Sequence, residues 1–186
     1  MEMDRGKAWA LLEAHNSEDM HLKHALAVEA TMRHFAVLAG EDPELWGLVG
    51  LLHDLDWEEA PDEHAKKSMD WLREAGYDEA FCRAVSAHAW EYTGTKPESL
   101  MEKTLYAIDE LTGLLTAAAL VRPSRSLADL EVRSVMKKWK DKAFARGVNR
   151  EVISRGAELL DKPVDWLIKE TLEAMRPIEK ELGLGA

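Results

Sequence analysis

The chain has 186 residues, of which 46% are hydrophobic and 32% are charged, and its formal net charge is −11. This is an ordinary composition for a globular domain, and the acidic balance argues against nonspecific binding to nucleic acid or to an anionic membrane surface. Cys82 is the only cysteine, which excludes a disulfide framework and a zinc site built from cysteines.

The start of the chain, MEMDRGKAW, is charged and has none of the apolar core of a signal peptide. The longest uncharged apolar run, 111–121, is too short to span a bilayer. We therefore expect a cytoplasmic protein that has no membrane or nucleic-acid partner, with a homodimer as an open alternative.

Apolar residues recur three and four positions apart along the chain, a spacing that predicts an all-α fold. Asp42-Pro43 is a typical helix start and Gly40 is a typical helix end, and both agree with this spacing. The expected helices are 4–15, 18–39, 43–55, 62–76, 78–91, 98–120, 126–145, 149–161 and 163–182.

Two prolines in the second half interrupt the helical pattern. Pro123 breaks a long apolar helix, and Pro163 separates the last two helices. All candidate metal ligands lie before the first break. We therefore expect a single helical core over residues 1–121 that carries the site, with a helical extension over residues 122–186 packed on it.

The predicted helix 18–39 carries the first candidate ligand. His24 shares a helix face with Val28 and Phe35, which directs its imidazole inward, where an unpaired polar group is costly. Taken alone, a core histidine more often bonds a backbone carbonyl than a metal. His21, one turn earlier, is an alternative to His24.

The predicted helix 43–55 ends on the doublet His53-Asp54, which follows the apolar run 48–52. An imidazole and a carboxylate that lose their water there would both be satisfied by a cation. The doublet alone carries little weight, because such a pair often arises by chance. Asp56 adds a carboxylate that is read as a partner of a metal ligand, as a contact to a substrate hydroxyl or amine, or as an exposed acid at a helix end.

Three further candidates lie on the later helices. His88 shares a face with Phe81 and Val85, so it is expected to point inward. Asp109 interrupts an otherwise apolar helix; a lone acid in the middle of a helix is usually solvated, but the surface around this one is mostly apolar. The pattern around His64 does not fix its direction. For His64 and His88, a structural role in the core is an equal alternative to metal binding.

The segment 132–150 carries a concentration of basic residues around a single acid. Lys137 and Lys140 share one face of its predicted helix and are candidate contacts to an anionic substrate. Arg122 and Arg125 are additional candidates. The alternative is a solvated face that balances the acidic core or mediates dimerisation.

In chain order, His24, the doublet His53-Asp54 and Asp109 resemble the ligands of the HD superfamily of metal-dependent phosphohydrolases. The strings HALAVE, which begins at His24, and GLLHD, which ends at Asp54, are similar to the first-histidine helix and the doublet helix of that superfamily. The resemblance covers about residues 18–115. Many members continue the doublet as Ile-Gly-Lys, whereas this chain reads Leu-Asp-Trp, so the role of that lysine is not carried over.

The resemblance implies a set of ligands for one or two metal ions: His24, His53, Asp54, Asp109, His64 and His88. The first four would form the primary site, the last two would hold a second ion, and Asp54 would bridge the two. Histidines and carboxylates without thiolates suit Mn²⁺, Fe²⁺, Co²⁺, Mg²⁺ or Zn²⁺, and the residues alone do not choose among them.

The resemblance also implies a reaction. Water activated by the metal would attack a phosphoester of a nucleotide or of another small phosphorylated metabolite, with Asp54 orienting the nucleophile. Two alternatives stay open. Some relatives with all six ligands hold two irons and use O₂ on small metabolites, and related folds also occur as metal- or ligand-binding modules without catalytic activity.

Overall fold

The computed structural model describes residues 4–185, so residues 1–3 and 186 of the two predicted units lie outside the described range. Within this range the chain is helical and has no β-strand, which confirms the predicted all-α fold. None of these helices is both long and apolar enough to cross a bilayer. The helices of residues 4–185 are α1 Arg5–His15, α2 Asp19–Ala39, α3 Pro43–Leu51, a 3₁₀ helix Pro61–Glu63, α4 Lys66–Glu74, α5 Glu79–His88, α6 Trp90–Thr93, α7 Leu100–Leu120, α8 Val132–Lys140, α9 Arg150–Leu159, α10 Val164–Met175 and a 3₁₀ helix Arg176–Ile178.

The two longest helices, α2 and α7, form the centre of the fold. Helix α2 packs on α3, α7 and α10, and helix α7 also packs on α5, α8 and α9. The buried core includes Val28 and Met32 of α2 and Leu105 and Ile108 of α7. This core continues into the later helices, for example at Ile153 of α9. The second half of the chain therefore packs on the same core as the first, and a division at residue 121 stays a prediction.

A close backbone contact brings α3 onto α2. A Cβ atom at Gly50 would lie 3.0 Å from the carbonyl oxygen of Val28 and 2.9 Å from Cγ of Met32, so a side chain there would force the helices apart. Gly50 lies three residues before His53. The contact therefore sets the end of α3 beside the helix that carries His24.

Two of the predicted helices that carry ligands are shorter than expected. Helix α3 ends at Leu51, and the doublet His53-Asp54 lies in the turns that follow. Helix α4 begins only at Lys66, because Ala65 has a φ of 61°, in the left-handed region that a helix does not continue through. His64 therefore also comes from irregular backbone.

The predicted helix 126–145 is confined to α8. Pro123 and Arg125, which has a φ of 48°, keep the preceding segment irregular. The last predicted helix also ends early, at Met175, because Pro177 lies in the 3₁₀ helix that follows it. These differences move residues of the second half from helices into loops.

Candidate metal centre

Four of the predicted ligands form one cluster at the junction of α2, α7 and the turn after α3. Their donor atoms lie within 4.8 Å of one another: His24, His53, Asp54 and Asp109. The His24 Nε2 atom lies 3.2 Å from His53 Nε2 and 3.0 Å from Asp109 Oδ1. The His53 Nε2 atom lies 3.3 Å from Asp54 Oδ2 and 3.3 Å from Asp109 Oδ1. The four side chains therefore converge on one point.

Asp54 also belongs to a second cluster, with His64 and His88. Its Oδ1 atom lies 3.6 Å from His64 Nε2 and 3.2 Å from His88 Nε2, and these two nitrogens are 3.2 Å apart. Its other oxygen, Oδ2, faces the first cluster. The two oxygens of one carboxylate thus face two separate groups of donors, which is the arrangement that a bridging carboxylate requires.

Backbone carbonyls fix the proton positions of two of the histidines. The Nδ1 atom of His53 lies 2.8 Å from the Gly50 carbonyl oxygen, and that of His88 bonds the Val85 carbonyl oxygen. A carbonyl oxygen only accepts, so each Nδ1 carries the hydrogen and each neutral ring presents a lone pair at Nε2. Both lone pairs point into the clusters.

The donor chemistry fits a divalent cation. In the first cluster the Nε2 atoms of His24 and His53 lie 3.2 Å apart beside two carboxylates, and two nitrogens that both present lone pairs to a metal cannot hydrogen-bond one another. His53 is fully buried, so water cannot satisfy it from outside. A cation held by these residues would pair with all four donors at once. The residues present therefore fit a metal of the hard or borderline class.

The electrostatics of the first cluster agree with this fit. Burial alone would lower the pKa of the His53 imidazole, but Asp54 and Asp109 outweigh it and raise that pKa well above its usual value. Burial would raise the pKa of the two carboxyl groups, yet the neighbouring histidines hold both well below their usual range. The carboxylates therefore stay charged and create a negative potential at the centre of the cluster.

Asp56 contacts the second cluster through His64, at the ring nitrogen that faces away from the other donors. It is fully buried, its Oδ1 atom lies 3.0 Å from His64 Nδ1, and its Oδ2 atom accepts from the backbone N–H of Ser68 at 2.8 Å. Both carboxylate oxygens are engaged inside the protein. Asp56 is therefore not an exposed acid, as one interpretation of the sequence had it. Its carboxylate also has no free oxygen for the predicted contact to a substrate. Its placement fits that of a residue that orients the ligand His64.

Thr112 is a site residue that the sequence pattern did not single out. Its hydroxyl donates to the Asp109 carbonyl oxygen at 2.8 Å and lies 3.4 Å from His24 Nδ1. The hydroxyl oxygen can accept the Nδ1 hydrogen of His24, which leaves the Nε2 lone pair for the cluster. The spacing of three residues from Asp109 on one helix is the signal that would find it.

The turn that follows the doublet caps α2. Glu18, the residue before α2, makes no capping bond of its own. The Glu58 carboxylate instead binds the start of the helix. It accepts from the backbone N–H groups of Ser17 and Glu18, each at 2.9 Å, and lies 2.8 Å from His21 Nδ1. Burial favours the neutral form of Glu58, but these bonds outweigh it and lower its pKa to about 2. His21 is thereby engaged outside both clusters, and the turn is fastened to the helix of His24.

A cavity of about 810 Å³ opens onto both clusters, a volume that accommodates a small metabolite. Five of the six ligands line it, and His53 lies beneath them. Apolar side chains from both halves of the chain form part of its wall: Met20, Trp57, Tyr92, Leu120, Val152 and Leu182.

The basic segment does not face this cavity. Lys137 and Lys140 are exposed on α8, and neither they nor any other basic side chain of 132–150 lines the cavity. The cavity therefore gives no support to the predicted role of these two lysines in substrate binding, which stays a prediction. Arg150 instead donates to several backbone carbonyls and holds the loop after α8 in place. Of the additional candidates, Arg125 lines the cavity, whereas Arg122 pairs with Asp129 at 2.8 Å.

Comparison with known proteins gives one match. The model of a family described as HD domain matches residues 22–114, which is half of the chain and includes all six clustered ligands. No curated protein and no solved structure matches the chain.

Proposed function

The chain belongs to the HD domain family, and on this premise we propose that it is a metal-dependent phosphohydrolase that cleaves a phosphoester of a nucleotide or of another small phosphorylated metabolite. The observation that carries the proposal is the pair of ligand clusters that share Asp54 beside the cavity. Divalent cations in such clusters supply a water molecule that is acidic enough to react at neutral pH, and they offset the charge of a phosphate.

The protein's own residues divide the remaining tasks. Asp54 lines the cavity where the clusters meet, and this position supports a role for its carboxylate in orienting the attacking water. Trp57 and Tyr92 stand beside His64, with ring centroids 4.9 Å and 6.1 Å from its imidazole. These rings limit the access of bulk water to the second cluster and offer faces to a planar or apolar group.

The experiment combines metal analysis with an assay of phosphate release. Protein purified without chelators is analysed for its metal content and is then tested on a panel of phosphate monoesters with Mn²⁺, Fe²⁺, Co²⁺, Mg²⁺ or Zn²⁺. Asp54→Asn is expected to lose both bound metal and hydrolysis. Asp70→Asn is the matched control, because Asp70 is an exposed acid on α4 with a side chain 57% accessible. Hydrolysis by Asp54→Asn at the wild-type rate, or none by metal-loaded wild type, contradicts the proposal.

A second candidate is an oxygenase that holds two irons and acts on a small metabolite. The observation in its favour is that the second cluster, with His64 and His88, is complete beside the first. Two equivalents of iron, oxygen consumption and a mixed-valent spectroscopic signal would support it. Phosphate release without oxygen supports hydrolysis, and tight ligand binding without any turnover supports a binding module.

The location proposed for the protein is the cytoplasm. Cys82 is buried and unpaired, which fits a reducing compartment.

A further inference from the structure

Arg125 reaches the cavity from a loop outside the residues that the family match covers. Its φ of 48° lies in the left-handed region that residues other than glycine adopt rarely. The loop around it is fastened to the end of the chain: the backbone N–H of Gly185 donates to the Arg125 carbonyl oxygen at 2.8 Å. Glu179 accepts from the Ser126 hydroxyl at 2.8 Å and from the Leu127 N–H at 2.9 Å. The fold itself therefore sets where the Arg125 side chain begins.

The charged side chains that line the cavity are Asp19, Lys23, Asp54, Glu91, Asp109, Glu110 and Arg125. Five of these seven charged side chains already have partners: three are bonded to other protein side chains, and two are ligands of the clusters. Lys23 Nζ pairs with Asp19 at 2.6 Å. Glu91 pairs with Arg155 at 2.8 Å and accepts from the Tyr106 hydroxyl at 2.6 Å. Two more, Asp54 and Asp109, are ligands of the clusters.

Arg125 is the cation that remains for a substrate. It is exposed and lines the cavity, and among residues 4–185 its guanidinium forms no ion pair with an acidic side chain. Glu110, whose carboxylate accepts from the Asn149 backbone N–H at 3.2 Å, is the other remaining charge, and in the sum of charges it cancels that of Arg125. Two divalent ions in the clusters would exceed the two ligand carboxylates by about two positive charges, which matches the charge of a phosphate monoester near neutral pH. A triphosphate, with about twice that charge, would lack partners.

Part of the cavity rim is apolar. Met20, Trp57, Tyr92 and Leu120 line it while keeping 69%, 43%, 73% and 42% of their surfaces exposed. Exposed apolar side chains gathered around a cavity mark a binding surface. They suit the apolar or aromatic part of a ligand better than a chain of further phosphates.

We propose that Arg125 binds the phosphate of the substrate, and that the cavity takes a phosphate monoester carried on an apolar or aromatic group in preference to a polyphosphate. This inference rests on the proposed hydrolase function. It places the contact to the phosphate, Arg125, in the second half of the chain, outside the segment that carries the metal ligands.

The test measures binding apart from turnover. The probe is phenylphosphonate, an aromatic dianion that resists hydrolysis, titrated calorimetrically into the metal-loaded protein. Arg125→Ala is expected to raise its Kd about 10- to 100-fold, as expected for the loss of a charged hydrogen-bond partner, with unchanged metal content. Arg125→Gly should do the same, and glycine suits the positive φ, so a folding defect is avoided. Arg122→Ala is the matched control from the same loop, because Arg122 pairs with Asp129 and does not line the cavity.

The outcomes separate this inference from the function on which it rests. Wild-type protein should bind tripolyphosphate at least about 10-fold more weakly than phenylphosphonate. Equal binding of the two probes, or an unchanged Kd in both Arg125 variants, overturns the inference even if 1-naphthyl phosphate is hydrolysed. If the metal-loaded wild type releases no phosphate from any monoester, the hydrolase function fails instead, and the binding measurements still decide the role of Arg125.

Discussion

Replacement of Asp56 by asparagine should weaken one ligand cluster and spare the other. Asp56 contacts His64 at 3.0 Å and Ser68 at 2.8 Å, and both bonds need an acceptor. Asparagine has one acceptor oxygen, so an amide that keeps the Ser68 bond turns its NH₂ group towards His64 Nδ1. The imidazole then loses its partner or moves its hydrogen to Nε2, which removes the lone pair from the second cluster.

The magnitude follows from the loss of an orienting partner behind a metal ligand. Such losses cost about 10- to 100-fold in metal affinity, or about 1.4–2.8 kcal/mol, here at the site of His64 and His88. The mismatched amide is buried, so the free energy of unfolding should also fall by about 1–3 kcal/mol. The first cluster, which includes His53, has no contact with Asp56 and should keep its ion.

The assay is equilibrium dialysis against Mn²⁺ followed by elemental analysis, with urea unfolding alongside. Wild-type protein is expected to bind two equivalents, and Asp56→Asn to bind one equivalent tightly and the second weakly. Asp62→Asn serves as the control, because Asp62 is an exposed acid in the same connection. Retention of the second ion at wild-type affinity in Asp56→Asn would refute the reasoning.

Two further predictions concern residues outside the clusters. Charge reversal in the double variant Lys137→Glu/Lys140→Glu should leave KM for a phosphate monoester unchanged, because both lysines are exposed and neither lines the cavity. A raised KM would show that these lysines contact the substrate. Glu58→Gln should lower the free energy of unfolding at neutral pH, because the charged carboxylate caps α2. The pKa of Glu58 is lowered from 4.5 to about 2, so its contribution is complete above about pH 4.5 and is lost as the pH falls towards 2. Urea unfolding of both proteins at several pH values checks this, and a difference that stays constant across the acid range would contradict it.

The all-α fold and the HD family were predictable because their signals are local. Apolar spacing marks α2 and α7, and the order of His24, the doublet and Asp109 is written directly in the chain. Helical spacing and residue order therefore indicated the fold and the family, and the roles of the individual candidate ligands stay predictions.

The role of Asp56 could not be fixed in the same way. It lies beyond the end of α3, where no helical period says which way a side chain points. Its partners, His64 and Ser68, are 8 and 12 residues away and meet it only through the turn at Ala65. The three readings of Asp56 were therefore equivalent until the structure was known.

The basic segment shows a different limit of pattern analysis. Helical spacing places Lys137 and Lys140 on one face, but it does not say what lies opposite that face. Arg125 gave no periodic signal at all, because it sits in an irregular loop that is held by Glu179 from the far end of the chain. Long-range contacts of this kind decide which cation reaches the cavity.

The capping of α2 by Glu58 has a consequence for the thermodynamics of ion binding. Glu58 joins the turn of the doublet to the first residues of α2, and Gly50 seats α3 directly on the same helix. The two supports fix the backbones of His24 and His53 relative to each other before any ion arrives. Binding of a cation then orders little additional backbone. The loss of conformational entropy by the ligands therefore opposes binding only weakly.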